Sequence, residues 1–262
     1  MLDWKSDDEF TVGETRFRAL PPDVLGGGAD LREGEYFVFK PRPMVERHAA
    51  LLEELRPKHI VELGFFKGGS TVFFAAAARP ERLAVLDLAP VQEGMDAVRA
   101  FAEANGLEDV VRTYPEVDQA DRDRLAELVA DAFGEESLDL VVDDCSHFYE
   151  PTRASFNELF PRLRPGGVYV IEDWRWAHTP LGSDAPEGFY PDRVPMTRLL
   201  FELILGMPGI PDLITEITIE PDMAIVTRGE AEIDPGSFEI ANASNPRGRT
   251  LLAPDSDPSQ TG

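Results

Sequence analysis

The stretch HIVELGFFKGGSTVFFAAAA, residues 59–78, decides how the rest of the chain reads. HIVELG (59–64) is short and apolar, as a strand covered on both faces is, and GGSTVFFAAAA (68–78) has the composition of a buried helix. Between them Gly64 turns the chain, and Gly68 and Gly69 open the helix. The same alternation repeats on either side. Upstream, PMVERHAALLEELRP (43–57) has helical spacing, with Pro43 suited to a first turn and Pro57 to a stop. Downstream, strands are expected at RLAVLDL (82–88), DVVRTY (109–114), SLDLVVDD (137–144) and GGVYVIED (166–173). Helices are expected between them at VQEGMDAVRAFAEANG (91–106), QADRDRLAELVADAFG (119–134) and PTRASFNELF (151–160). Strands that are apolar throughout, alternating with helices, predict a doubly wound α/β fold with a mostly parallel sheet.

Beyond residue 174 the pattern changes. WRWAHTPLGSDAPEGFYPDR (174–193) is rich in aromatics, Gly and Pro and reads as a long loop; VPMTRLLFELILG (194–206) reads as an apolar helix. LITEITIE (213–220) and MAIVTRG (223–229), separated by Pro221-Asp222, form an expected antiparallel hairpin at one sheet edge. Residues 9–20 and 35–40 are expected to add a small N-terminal β element, and the tail from about 244 to be loosely held.

Composition narrows the function. A net charge of −24 disfavours nucleic acid and acidic membrane surfaces, which select clustered Lys and Arg. No apolar run approaches the roughly 20 residues that span a bilayer, and MLDWKSDDEF lacks an apolar leader. A single Cys leaves no internal disulfide, so a cytoplasmic protein is expected. The apolar helix 194–206 suits either the interior or a subunit interface, and a homo-oligomer is the expectation.

Three stretches carry chemistry. In VELGFFKGGS (61–70) the strand ends in Glu62, and the glycines with a helix N-terminus admit an anionic ligand group; the same turn also serves packing alone. The spacing departs from G-x-G-x-x-G, which argues against a nicotinamide dinucleotide. Asp87 lies 23 residues after Gly64, where a second strand places an acid beside a ribose; its other role is to cap the chain before Ala89-Pro90. Finally, VVDDCSHF (141–148) and VIEDW (170–174) put Asp144 and the pair Glu172-Asp173 at the carboxyl ends of two strands. Three carboxylates meeting there repel unless a cation joins them, and oxygen ligands suit Mg²⁺. Consecutive strand residues point to opposite faces, so Glu172 and Asp173 share an ion only where the backbone turns. His147, in the following loop, is the candidate general base. Asp143 and Cys145 are read as facing the sheet's packing, without catalytic role, although Asp143 also stands among the candidate cofactor-side residues.

VELGFFKGGST, LAVLDL, VDQAD (117–121), VVDDCSH and RPGGVYVIEDW together resemble class I S-adenosylmethionine-dependent methyltransferases, with their Rossmann-like sheet, over roughly residues 40–180. More narrowly they look like the metal-dependent O-methyltransferases of the macrocin and mycinamicin type, which modify sugars on natural products, with cephalosporin hydroxylase-like relatives. The resemblance implies Glu62, Gly64, Gly68 and Ser70 around the methionyl part of S-adenosylmethionine. It also implies Asp87 at the ribose, Asp118 and Gln119 near the adenine, Mg²⁺ on Asp144, Glu172 and Asp173, and His147 as base. It divides the chain into an N-terminal extension (1–42), a methyltransferase domain (43–230) and a C-terminal tail (231–262). Where the family usually has Gly, this chain has Cys145, and Phe65-Phe66 makes the cofactor loop bulkier. The expected activity is methylation of a hydroxyl on a small, glycosylated acceptor. Trp174, Trp176 and His178, with Phe189 and Tyr190, are placed to cover that acceptor. A catechol-like acceptor, a nicotinamide oxidoreductase and a non-catalytic cofactor-binding relative are the alternatives.

Overall fold

The computed structural model describes residues 2–20, 34–90, 92–178 and 193–244. Four short strands come first: β1 (Leu2–Trp4), β2 (Glu9–Val12), β3 (Thr15–Leu20) and β4 (Glu35–Pro41). They form a separate sheet in that order, antiparallel from β1 to β3 and parallel between β3 and β4. Helix α1 (Arg42–Leu55) starts directly on Pro41. It stops two residues before Pro57, because Arg56 turns left-handed and donates its N–H to the Leu52 carbonyl at 2.9 Å.

The alternating core follows as expected: β5 (His59–Leu63), α2 (Gly69–Ala78), β6 (Arg82–Asp87), α3 (Gln92–Asn105), β7 (Val111–Pro115), α4 (Arg122–Phe133), β8 (Leu138–Asp143), α5 (Tyr149–Leu159) and β9 (Leu163–Glu172). After it come α6 (Thr197–Gly209), the strands β10 (Ile214–Ile219) and β11 (Met223–Arg228), and a short helix α7 (Ile240–Ser244). The main sheet has seven strands in the order β10-β11-β9-β8-β5-β6-β7. Pairing is parallel from β9 to β7, and the β10–β11 hairpin runs antiparallel along β9.

Every residue of β5 and β8 is buried, which explains why neither strand alternates apolar residues with exposed polar ones. Alternate residues feed two cores. Val61, Leu63, Val141 and Ile171 pack beneath α4, α5 and α6, while Ile60, Val85, Val142 and Val170 face α1, α2 and α3. The N-terminal sheet closes the second core from outside, where Phe10 and Phe17 each meet Phe73 of α2 edge-on at 6.1 Å. Residues 231–244 dock onto the first core: Phe238, Ile240 and Ala243 are buried, and the Ile240 N–H donates to Asn157 Oδ1 at 2.9 Å. Among the described residues no helix is long and apolar enough to cross a membrane.

From β5 the sheet grows through β6 to β7 on one side and through β8 to β9 on the other. The crevice where the order reverses, outside the carboxyl ends of β5 and β8, is where such sheets bind ligands.

Candidate active site

At that crevice the loops after β5 and β8 press together. Asp144 N–H donates to the Leu63 carbonyl at 2.9 Å, and a Cβ at Gly64 would lie 2.2 Å from the Asp144 carbonyl oxygen. Gly64 is therefore required twice, by its positive φ of 83° and by this approach. The crevice opens into a cavity of about 440 Å³. One wall holds Gly64, Ser70 and Asp87; another holds Lys40, Asp144, His147 and Asp173; Phe37, Phe39, Phe66 and Trp176 supply an aromatic rim.

Of the residues expected around a cofactor, Gly64, Ser70 and Asp87 line the cavity. Asp87 accepts from the Phe65 and Phe66 amides at 3.1 and 3.3 Å and from the Ala89 amide at 3.0 Å, so it ties the glycine loop to its own strand end. Glu62, Gly68, Asp118, Gln119 and Asp143 do not line it. Glu62 is fully buried, accepts from Thr71 Oγ1 at 2.6 Å, and burial pushes its carboxyl up to about 7 against the opposing Ser70 and Thr71 hydroxyls. Gly68 caps α2 at φ 79°, close under the Gly94 carbonyl. Asp118 is exposed and closes a local turn onto the Ala120 amide at 2.8 Å.

Asp143 and Gln119 support the site from below. Asp143 is 2% exposed and accepts from Ser155 Oγ at 2.7 Å, Tyr169 Oη at 2.8 Å and Gln119 Nε2 at 3.1 Å. Three donors compensate the burial of this carboxyl, which still lies above its ordinary value because burial dominates. Asp143 thus faces the packing and does not line the cavity. Gln119 in turn accepts from the Ser146 amide at 2.8 Å and so anchors the loop that carries His147.

Asp144, His147 and Asp173 each offer a ligand atom within 4.8 Å of the others. His147 Nε2 is 3.9 Å from Asp144 Oδ1, and its ring lies 4.3 Å from that of Trp176. Both His147 (φ 57°) and Asp173 (φ 55°) are left-handed, a conformation that costs a non-glycine residue about 1–3 kcal/mol and collects at functional sites. The turn at Asp173 is the one that adjacent acids required. It brings Asp173 to the cavity, where its carboxylate accepts no hydrogen bond among the described residues. Burial, then the neighbouring Asp144 charge, push it up to about 7.

Glu172, expected as a third metal ligand, lies outside this group. It is 1% exposed, and its two oxygens meet Lys40 Nζ at 2.5 Å and His48 Nε2 at 2.9 Å. Burial alone would raise its carboxyl, but Lys40 and His48 outweigh burial and hold it at about 2. Lys40 also donates to Asp144 Oδ2 at 2.6 Å. Sequence reading missed Lys40, although a lysine at the end of an apolar strand (EYFVFK) in a lysine-poor chain was a signal.

Among the acceptor-side candidates, Trp176 lines the cavity. Trp174 packs on the first core and donates Nε1–H to the Glu220 carbonyl at 2.8 Å, and His178 bonds Thr197 away from the cavity. Phe189 and Tyr190 lie outside the described residues. Cys145 lines the cavity, but burial and then surrounding acids push its thiol up, so it stays protonated.

A protein-family model described as a methyltransferase domain matches residues 61–174. Demethylmacrocin O-methyltransferase of Streptomyces fradiae is 49% identical over 72 residues, 27% of this chain and 18% of that protein. Mycinamicin VI 2''-O-methyltransferase of Micromonospora griseorubida is 54% identical over 43 residues, 16% of this chain and 11% of that protein. These matches cover less than a fifth of either relative. The solved structure of MycE methyltransferase from the mycinamycin biosynthetic pathway, in complex with Mg, SAH and mycinamycin VI, has a TM-score of 0.51 at 26% identity. That likeness covers 71% of this chain and 49% of MycE. Over residues 61–174 the chain thus matches a methyltransferase-domain model, and its fold is similar to that of MycE.

Proposed function

We propose that the chain moves a methyl group from S-adenosylmethionine to a hydroxyl of a small, glycosylated acceptor with the help of Mg²⁺. The observation that carries this reading is one cavity holding the Gly64–Ser70–Asp87 wall opposite Asp144, His147 and Asp173. Relatives named for O-methylation of glycosylated natural products supply the acceptor class.

The residues fit both groups. For the cofactor, the left-handed Gly64 brings backbone to the cavity with no Cβ in the way, beside the first turn of α2. For the cation, Asp173 is a carboxylate short of a partner, pushed up to about 7 by burial and by Asp144, and a divalent ion relieves that crowding. Asp144 and Asp173 would hold it. When bound, the cation supplies positive charge that lowers the pKa of the acceptor hydroxyl.

His147 takes the hydroxyl proton. Its ring is held by Trp176, and Asp144 stabilises the imidazolium that forms. The aromatic rim of Phe39, Phe66 and Trp176 stacks on the apolar face of a sugar ring and keeps water from the reacting atoms. Lys40 keeps the deep carboxylate, Glu172, neutralised throughout.

Isothermal titration with S-adenosylmethionine and with NAD, each with and without Mg²⁺, tests the reading. Heat of binding for S-adenosylmethionine alone supports it, and product mass spectrometry against a panel of glycosides and catechols then identifies the acceptor. Binding of NAD in its place, or of neither, defeats it.

A further inference from the structure

Lys40 stands at an unusual place in this site. The residue is 2% exposed, and its ammonium lies 2.6 Å from Asp144 Oδ2 and 2.5 Å from Glu172 Oε2, between the two acids that flank adjacent strand ends. Glu172 spends its other oxygen on His48. The remaining Asp144 oxygen, with Asp173 and His147, faces the cavity, whereas Glu172 does not line it. The groups therefore divide into a deep pair, Glu172 with His48, and a cavity-facing set, Asp144 with His147 and Asp173, and Lys40 bridges the two.

We propose that Lys40 is an internal cation that withholds Glu172 from the divalent ion, so that the ion is held by Asp144 and Asp173 alone and weakly. The inference rests on the methyltransferase reading only for the identity of the ion. A strongly hydrated ammonium on two carboxylates supplies one positive charge where a third carboxylate arm would otherwise be free. Moving it away costs two charge-assisted hydrogen bonds in a buried setting, so an arriving ion does not displace it. The position is fixed by the fold, because β4 delivers Lys40 immediately before the proline-led turn into α1, and α1 delivers His48.

Mn²⁺ titration followed by electron paramagnetic resonance, on the full chain without acceptor, reads the effect directly. Glu172→Gln keeps an oxygen for Lys40 and is expected to leave Mn²⁺ affinity within about twofold of the parent. Lys40→Met is expected to tighten Mn²⁺ binding by about tenfold or more, because affinity follows the number of charged ligands. Adding Glu172→Gln to Lys40→Met is expected to abolish that gain. The proposal is overturned if Glu172→Gln alone weakens Mn²⁺ binding tenfold, which also decides the matter should Lys40→Met fail to fold. It is likewise overturned if the gain from Lys40→Met survives in the double variant, since simple removal of a repelling charge then accounts for it. Titration of the parent with S-adenosylmethionine keeps the two readings apart: loss of that binding sinks the methyltransferase assignment whatever Mn²⁺ does.

Discussion

In the proposed reaction His147 takes the proton, and its surroundings say what its loss removes. The ring touches Trp176 and approaches Asp144, but none of the Gly64, Ser70 and Asp87 wall depends on it. His147→Ala is expected to slow turnover by about 10²–10⁴-fold while S-adenosylmethionine binding, measured by calorimetry, stays close to the parent's. Glu62 offers a different test, of stability and not of rate. Its carboxyl is raised from an ordinary 4.5 to about 7, so the folded state holds this proton more tightly than the unfolded state. The stabilisation is complete below the unfolded value and is lost as pH rises through about 7, amounting to about 3 kcal/mol at the limit. Glu62→Gln keeps an acceptor for Thr71 and removes the titration. Thermal melts of the ligand-free variant should therefore gain on the parent at pH 8 and not at pH 4. Asp87 and Asp144 were legible as cavity residues because they stand at strand ends, and His147 because it lies in the loop that follows one. Lys40 was not: its partners lie 104 and 132 residues downstream, and no acid near it in sequence announces them.

At the scale of elements, the parallel core was legible because strands buried on both faces lose the alternation that half-exposed strands keep. β5 and β8 show this in full. The pairing of the N-terminal strands was less so. β2 and β3 turn about Gly13 as a hairpin does, but β3 and β4 pair in parallel, and no local signal encodes a pairing without a hairpin turn. Besides the Phe10 and Phe17 contacts with Phe73, that small sheet meets α2 at a glycine. A Cβ at Gly69 would fall 1.8 Å from the Phe37 carbonyl oxygen and 2.4 Å from its carbon, backbone atoms that cannot swing aside. Gly69→Ala is expected to destabilise the protein by about 1–3 kcal/mol or more, seen as a lower urea midpoint. Loss of the aromatic rim's Phe37 and Phe39 from register should weaken cofactor binding in parallel. An unchanged midpoint would mean that β4 does not rest on α2 as described.

The whole molecule carries 49 acidic against 25 basic residues, for a net charge of −24. Such a surface repels itself, and the compact state bears more of that repulsion than the open chain. Raising NaCl from about 0.02 to 0.5 M shortens the screening length from roughly 20 to 4 Å, so the melting temperature should rise with salt; a fall would place the stability in ion pairs instead. Individual surface pairs such as Lys58–Glu81, both well exposed, contribute little to this balance. The long reach of Lys40 has one more consequence, for the order in which the molecule is made. During synthesis β4 emerges early, and its lysine cannot meet Asp144 or Glu172 until β8 and then β9 have been translated and laid into the sheet. The Lys40 side of the pocket can therefore be completed only once β8 and β9 are in place, so ligand binding regained on refolding is expected to report that long-range docking.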